Sequence, residues 1–209
     1  HTRSLCDWSS DVCSSDLCGK TDLVFKILLL DGVFLPVPTR IKYYYGAWQT
    51  RFAEVEAADP RLEFAEGLPV YEDLPEGSEH TVMVIDDLME EASKSKTAMD
   101  IFTKHSHHRN MTVLYLAQKL YGRTHNTRVI SQNAHLMIRF KNPRDASSVQ
   151  TLGRQMYPGN HMFLSEAYID ATKTPRSYLV VNSHQRTDDR MRVIDNLFGA
   201  THPTVYIPK

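Results

Sequence analysis

The sequence predicts an α/β fold in which a mostly parallel sheet is flanked by helices. Short apolar runs typical of strands alternate along the chain with segments whose apolar residues recur at helical spacing. One run, TVMVIDD at positions 81–87, shows no polar alternation and ends in two acids, as expected for a buried parallel strand. At 209 residues, the chain is long enough for one domain with a substantial core.

Each element follows from a local pattern. Apolar residues at helical spacing, or an acidic residue at the capping position, predict helices at residues 22–30, 48–57, 93–104 and 145–157. Runs rich in β-branched, aromatic and aliphatic residues predict strands at residues 40–45, 81–87, 111–118, 135–140 and 176–183. Glycine and proline residues mark the loops between them.

Composition restricts the partners of the chain only in part. The formal net charge of −1 gives no overall attraction to DNA or to a membrane surface, so a nucleic-acid contact would need a local patch or a ring assembly. The longest apolar run is interrupted at Asp31 and Gly32 and is too short to span a bilayer. The three cysteines crowd the N-terminus, which does not suggest a disulfide framework. We therefore expect an intracellular protein that is neither secreted nor inserted in a membrane.

The first seventeen residues differ from the rest. They have no helical or strand period, repeat Ser-Ser-Asp at positions 9–11 and 14–16, and lack the features of a signal peptide. The segment resembles a translated sequencing-adapter read-through; a disordered native tail is the alternative. We expect a non-native tail at residues 1–17, a domain at residues 18–200 that lacks its first strand, and a C-terminal tail at residues 201–209.

Gly19-Lys20-Thr21 stands directly before the first predicted helix. A phosphate-binding loop ends in this way, with the lysine ammonium on the β- and γ-phosphates and the hydroxyl on Mg²⁺. Such a loop begins with a glycine five residues earlier, where this chain has Ser14. Taken alone, a Gly-Lys-Thr tripeptide is usually incidental.

Polar side chains at two later strand ends strengthen this interpretation. Asp86 and Asp87 follow a buried strand, where one acid can hold Mg²⁺ and the next can polarise the attacking water. Gln118 ends the following strand and would sense the γ-phosphate or orient water. The alternatives are a solvated strand end or helix cap for the acids and a surface glutamine for Gln118.

The segment KHSHHRN, residues 104–110, holds three histidines and an arginine. His105, His107 and His108 are too closely spaced for an ordinary zinc site, so a polar loop is the better interpretation. Arg109 could reach a neighbouring subunit and stabilise a transferring phosphoryl group, with Arg128 and Arg144 as further candidates. Surface ion pairing is the default for each arginine. Lys141 and Arg144 form a basic corner at a helix start that could contact phosphate.

With these motifs together, the chain resembles the FtsK/HerA-type DNA-packaging ATPases of double-stranded DNA viruses, especially the poxvirus-like and Polinton-like group. The resemblance covers about residues 18–185 and is carried by CGKT, VMVIDDLMEE, IFTKHSHHRNMTVLYLAQKLY, SQNAHLMIRFKNPRD and LGRQMYPG, in that order. It implies a RecA-like P-loop core, ATP hydrolysis with Mg²⁺, a homo-oligomeric ring, and translocation of double-stranded DNA into a capsid within the infected host cell.

The resemblance also implies roles for individual residues. Nucleotide binding falls to Gly19, Lys20 and Thr21, metal binding to Thr21 and Asp86, and catalysis to Asp86, Asp87, Gln118 and the trans-acting Arg109. The chain departs from the family in two ways. It lacks the opening glycine-rich run of the loop, so weak ATP binding is expected. It also carries Asp87 where many motors have Glu.

Two other interpretations stay open. One is an inactive P-loop remnant, truncated or derived from a transposon, that acts only through subunit contacts. The other is a small P-loop kinase or other monomeric NTPase, which the loop rich in arginine and histidine near Arg109 and the absence of a clear lid segment disfavour.

Overall fold

The described part of the chain forms two four-stranded sheets with helices packed against them. The computed structural model describes residues 19–75, 78–106, 109–118, 124–199 and 202–209. The first sheet is parallel throughout and has the strand order β2-β1-β3-β4, with β1 at Arg40–Tyr45, β2 at Leu62–Glu66, β3 at Thr81–Asp86 and β4 at Met111–Leu116. The predicted α/β fold with a parallel sheet flanked by helices is confirmed at this level.

The helices agree with the sequence pattern in most places. In the described ranges they are α1 (Lys20–Leu29), α2 (Arg51–Ala58), α3 (Met89–Lys94), α4 (Lys96–Asp100), α5 (His125–Asn133), α6 (Ala146–Met156) and α7 (Phe163–Ala171). The helix predicted at residues 93–104 is interrupted at Ser95, whose hydroxyl accepts the N–H of Ala98 and caps α4. A π-helical turn, Ile101–His105, continues from α4. None of the described helices has the length and hydropathy needed to cross a membrane.

The second sheet departs from the mostly parallel arrangement that the sequence predicts. Its strands pair antiparallel in the order β5-β6-β7-β8, with β5 at Leu136–Phe140, β6 at Tyr178–Asn182, β7 at Val193–Asp195 and β8 at Val205–Tyr206. Residues 183–192 join β6 to β7 and contain only a short 3₁₀ turn. A parallel crossover usually needs a dozen or more residues and a helix, so this connection favours an antiparallel return. Strand β8 lies within the residues predicted as a C-terminal tail.

Helix α1 packs against both sheets at once. Val24, Phe25 and Leu28 are buried in the core of the first sheet, together with residues of β1, β3 and β4. Leu23 and Ile27, on another side of the helix, are buried against β5 and β6. The helix that follows Gly19 therefore lies across the boundary between the two sheets.

Asp145 does not cap the helix that follows it, contrary to the sequence prediction. Its side chain makes no capping hydrogen bond to the backbone of α6. The carboxylate instead accepts a hydrogen bond from Nη2 of Arg139 at 2.6 Å and another from the Ser148 hydroxyl. The turn before α6 is stabilised by Asn142, whose side-chain oxygen accepts the N–H of Arg144 at 3.1 Å. The Asp145 carboxylate therefore pairs with the Arg139 guanidinium and does not cap α6. The local sequence around Asp145 does not indicate this pairing.

Candidate functional site

Most of the predicted site residues meet at the carboxyl ends of the parallel strands. Lys20 and Thr21 begin α1, Asp86 ends β3, Asp87 follows it, and Gln118 lies two residues beyond β4. The Thr21 hydroxyl lies 3.4 Å from Oδ2 of Asp86, and Nε2 of Gln118 donates to Oδ1 of Asp87 at 3.0 Å. The Lys20 ammonium lies 3.4 Å from the carbonyl oxygen of Ala117, at the end of β4. Residues from three distant parts of the sequence therefore form one cluster.

Gly19 gives the chain the sharp entry into α1. Its φ of 74° lies in the left-handed region, which glycine adopts without the steric cost that a Cβ brings. Because its N-cap residue is a glycine, α1 has no N-cap side chain to accept its first N–H groups. Backbone N–H groups at a helix N-terminus, with a lysine beside them, suit an anion such as phosphate. Cys18 and the preceding loop positions, including Ser14, lie outside the described residues.

Asp86 is a buried carboxylate held by a buried phenol. The Tyr43 hydroxyl, on β1, donates to Oδ2 of Asp86 at 2.6 Å, and the two residues are 0% and 8% exposed. Burial raises the pKa of the Asp86 carboxyl above its usual value, while the Tyr43 hydrogen bond opposes that rise. Burial also raises the pKa of Tyr43, so the phenol remains a donor at neutral pH. The hydrogen bonds from Tyr43 and Thr21 both reach Oδ2 of Asp86 and not Oδ1.

The Tyr43→Phe substitution is expected to destabilise the fold. It leaves the buried Asp86 carboxylate without its closest donor, which should lower the free energy of unfolding by about 1–3 kcal/mol in urea at pH 7. Tyr115→Phe is the matched control, because the Tyr115 hydroxyl is buried without a partner in the described part of the chain. We expect that control to leave stability unchanged or slightly raised. Equal losses in the two variants would contradict a specific Tyr43–Asp86 bond.

Asp87 has a strained backbone that directs its side chain away from the core. Its φ of 56° is left-handed, which is uncommon for a residue with a side chain. The backbone of Asp87 packs closely on Gly46, directly after β1. A Cβ added to Gly46 would lie 3.2 Å from the Asp87 carbonyl oxygen, which is a tight contact. Unlike Asp86, the Asp87 side chain is exposed, and so is that of Gln118. The two adjacent acids therefore occupy different environments, one buried and one open to solvent.

The donor set fits Mg²⁺ held together with a nucleotide and not a cation held by protein alone. Among the described residues, no group of three or more histidine, cysteine, aspartate or glutamate side chains converges. Mg²⁺ commonly takes one or two protein oxygens and completes its shell with water and substrate phosphates. Thr21 and Asp86, whose side-chain oxygens lie 3.4 Å apart, can supply those protein oxygens.

Arg109 is not brought to this cluster. It precedes β4 and so lies at the amino ends of the parallel strands, the edge opposite Asp86 and Gln118. Its Nη1 donates to the carbonyl oxygen of Pro75 at 2.7 Å, and its guanidinium lies 5.8 Å from the centre of the Tyr71 ring. Contact of Arg109 with a neighbouring subunit stays a prediction.

The remaining predicted residues are scattered. Arg128 is exposed on α5, and Arg144 is exposed in the turn before α6. Contact of either arginine with a neighbouring subunit stays a prediction. His105 packs edge-on against Tyr71, with ring centres 5.3 Å apart. His107 and His108 lie outside the described residues.

Two residues near the cluster were not predicted from the sequence. Tyr43 lies within RIKYYY, a run that indicates a strand but does not reveal which tyrosine meets an acid. Arg176, in the turn before β6, has a φ of 64°. Its side chain lies close to Gly19, because a Cβ added to Gly19 would be 3.5 Å from the Arg176 side chain. A cleft of about 260 Å³ opens beside both residues, and Lys141 lines a neighbouring cleft of about 330 Å³ that also reaches Arg176.

Comparisons of the chain with protein-family models, with curated proteins and with solved structures found no match. The geometry of the site and the sequence motifs are therefore the basis for assigning a function.

Proposed function

We propose that the chain is a Mg²⁺-dependent ATPase with a RecA-like P-loop core. The observation that carries this proposal is the contact of Thr21 with Asp86, 65 positions apart in sequence and 3.4 Å apart in space, at the start of a helix whose N-cap residue is a glycine. A chance Gly-Lys-Thr would not be expected to face a buried carboxylate at the end of a neighbouring parallel strand. The Asp87–Gln118 pair at the adjacent strand end is a second, independent support.

In this proposal each residue has a physical task. The N–H groups at the start of α1 and the Lys20 ammonium neutralise the charge on the β- and γ-phosphates. Thr21 and Asp86 would offer oxygens to Mg²⁺, which would supply positive charge that offsets the negative charge of the phosphates. Tyr43 holds Asp86 in place through Oδ2.

Asp87 and Gln118 act on the water. Because Asp87 is exposed and ionisable while its backbone is fixed, it can accept the proton of an attacking water beside the terminal phosphate. Gln118 donates to Asp87 and so limits the directions in which the carboxylate points. The short arm of aspartate requires the water to lie close to the end of β3.

We further propose that the ATPase is a subunit of a homo-oligomeric ring that moves double-stranded DNA into a viral capsid. The support is the order of the sequence blocks that resemble DNA-packaging ATPases, from CGKT to LGRQMYPG. Arg109 is the proposed trans-acting residue. Nη1 of Arg109 already donates a hydrogen bond to the Pro75 carbonyl oxygen. A phosphate on a neighbouring subunit would therefore have to contact the other N–H groups of the Arg109 guanidinium.

An inactive remnant that acts only through subunit contacts is the alternative. The observation that favours it is Ser14 at the position of the opening glycine of the loop. The nucleotide sequence upstream of Cys18 in the unbroken locus distinguishes the two, because an intact frame that encodes a glycine-rich loop removes the main support for a remnant.

Mg²⁺-dependent ATP hydrolysis at millimolar ATP, with and without double-stranded DNA, tests the proposed function. We expect slow hydrolysis that DNA stimulates and that Lys20→Ala lowers by about 100-fold, since the phosphates lose a fixed charge. Lys26→Ala is the control, because Lys26 is exposed further along α1 and should leave the rate unchanged. Hydrolysis that is equally low in both variants and in the parent chain would favour the remnant.

A further inference from the structure

Asn142 connects the second sheet to the Asp87–Gln118 pair. It lies two residues after β5, and its Nδ2 lies 3.3 Å from the carbonyl oxygen of Gln118, which lies two residues after β4. Gln118 in turn donates from Nε2 to Oδ1 of Asp87 at 3.0 Å. Two hydrogen bonds therefore lead from the end of β5 to the exposed acid after β3.

The turn that follows Asn142 fixes the orientation of its side-chain amide. Oδ1 of Asn142 accepts the backbone N–H of Arg144 at 3.1 Å, at the start of the 3₁₀ turn Pro143–Asp145. An amide nitrogen cannot accept that hydrogen bond, and an amide oxygen could not donate to the carbonyl oxygen of Gln118. Nδ2 is therefore the atom of the Asn142 side chain that faces Gln118.

The backbone of Asn142 is held by helix α7. The Tyr168 hydroxyl on α7 accepts the backbone N–H of Asn142 at 2.7 Å and donates to the carbonyl oxygen of Phe140 at 2.9 Å. Tyr168 is buried in the core of the second sheet. Pro143 also restricts the preceding residue to extended backbone, and Asn142 has a φ of −139° and a ψ of 98°. The donor of the bond to Gln118 is thus attached to a well-packed part of the fold.

The acceptor of that bond has less support from its own sheet. Gln118 is exposed and lies beyond the last residue pair of β3 and β4, which is Asp86 with Leu116. A hydrogen bond to its carbonyl oxygen limits rotation of the Gln118 backbone and so limits the positions that its side chain can reach. Asp87, by contrast, has a left-handed backbone packed against Gly46. The direction of the Asp87 carboxylate therefore depends on where Gln118 is held.

We propose that Asn142 is a positioning residue of the candidate site. It fixes Gln118, and Gln118 directs the Asp87 carboxylate towards the attacking water. The effect on the reaction rests on the proposed ATPase function, whereas the effect on Gln118 does not. The second sheet thereby takes part in a site whose other residues lie on α1 and at the ends of β3 and β4.

Two substitutions remove the donor of Asn142 and keep its role in the turn. In Asn142→Asp and Asn142→Ser, a side-chain oxygen can still accept the N–H of Arg144, because aspartate and serine cap such a turn about as well as asparagine. Neither side chain offers an amide donor to Gln118, and the serine variant adds no charge. Asn142→Ala removes both interactions. The same aspartate and serine substitutions at Asn126 are the matched controls, because Nδ2 of Asn126 donates to the carbonyl oxygen of Ser93 at 2.8 Å.

NMR spectroscopy of each variant without nucleotide measures the positioning of Gln118. The carbonyl ¹³C shift of Gln118 reports the hydrogen bond, and the order parameter of its side-chain amide reports the motion. We expect all three Asn142 variants to shift the carbonyl signal and to lower the order parameter to below about 0.6, the range of flexible groups. The Asn126 variants should leave both values as in the parent chain.

Three NMR outcomes would overturn the proposal. If Asn142→Asp and Asn142→Ser keep the parent values and only Asn142→Ala changes them, Asn142 supports only its own turn. If none of the Asn142 variants changes the values for Gln118, the hydrogen bond does not hold that residue. If the Asn126 variants change them equally, the effect is not specific to Asn142.

Steady-state ATP hydrolysis measures the consequence for the reaction. We expect each Asn142 variant to lower kcat by about tenfold while the KM for ATP stays near that of the parent chain, because residues that orient a reacting group act on the chemical step. A mobile Gln118 with an unchanged kcat would overturn the role of Asn142 in the reaction. If the parent chain hydrolyses ATP no faster than Lys20→Ala, the proposed function fails, and the NMR result alone then decides whether Asn142 positions Gln118.

Discussion

Replacement of residues 14–17 by a glycine-rich loop that opens with glycine at position 14 is expected to raise ATP hydrolysis by at least about 100-fold. The backbone N–H groups of such a loop surround the phosphates and are fixed before the reaction, and the loss of a single comparable donor costs an enzyme about that factor. In the proposed site, Gly19, Lys20 and Thr21 would complete the loop, since they begin α1 beside Ala117 and Asp86. Steady-state phosphate release at saturating Mg²⁺ and ATP measures the effect.

Controls within the rebuilt loop identify the source of the gain. Lys20→Ala should abolish the added activity, whereas Lys26→Ala, on the exposed side of α1, should keep it. If the unaltered chain already hydrolyses ATP rapidly and Lys20→Ala abolishes that activity, the opening glycine is not required. The departure at Ser14 would then have no functional consequence.

Two features at the end of β3, both in the candidate site, lower the free energy of unfolding. Burial raises the pKa of the Asp86 carboxyl, so its ionised form costs folding free energy above that pKa, and the cost is small once acid protonates the group. Tyr43 offsets part of the cost through its hydrogen bond. The left-handed backbone of Asp87 adds a second cost. Two adjacent unfavourable features at one strand end are typical of a functional site.

Local patterns predicted the first half of the fold well. Residues 40–45 form β1 as expected because RIKYYY is a continuous β-favouring run bounded by Gly46. Strands β3 and β4 were also predicted, although they end at Asp86 and Leu116, one and two residues earlier than expected. Because the two strands are parallel, their carboxyl ends lie at one edge of the sheet. This is why Thr21, Asp86 and Gln118 could be expected from the sequence to lie near one another.

The parts that were not predicted depend on long-range contacts. Strands β7 and β8 have three and two residues, too few to show a period. The orientation of β6 is set by its partners in the second sheet and not by its own apolar sequence. Asp145 pairs with Arg139, and Tyr43 with Asp86, through contacts that no spacing rule describes.

Asp87→Asn in the rebuilt chain is expected to lower kcat for ATP hydrolysis by about 100-fold or more, while ATP affinity stays within about twofold. A general base contributes about 10²–10⁴-fold, and asparagine cannot accept the proton of water. Asparagine does tolerate the left-handed backbone, and its oxygen can still accept the hydrogen bond from Gln118, so the structure should persist.

Two further variants separate the effect of losing the Asp87 carboxylate on activity from the effect of its left-handed backbone on stability. Asp87→Ala should lose the same activity and in addition about 1 kcal/mol of unfolding free energy, because alanine at a φ of 56° pays the left-handed penalty that asparagine largely avoids. Glu90→Gln, at an exposed acid on α3, should leave both quantities unchanged. If Asp87→Asn hydrolyses ATP as fast as its parent, Asp87 is not the base, and the left-handed turn then serves only to end β3 beside Gly46.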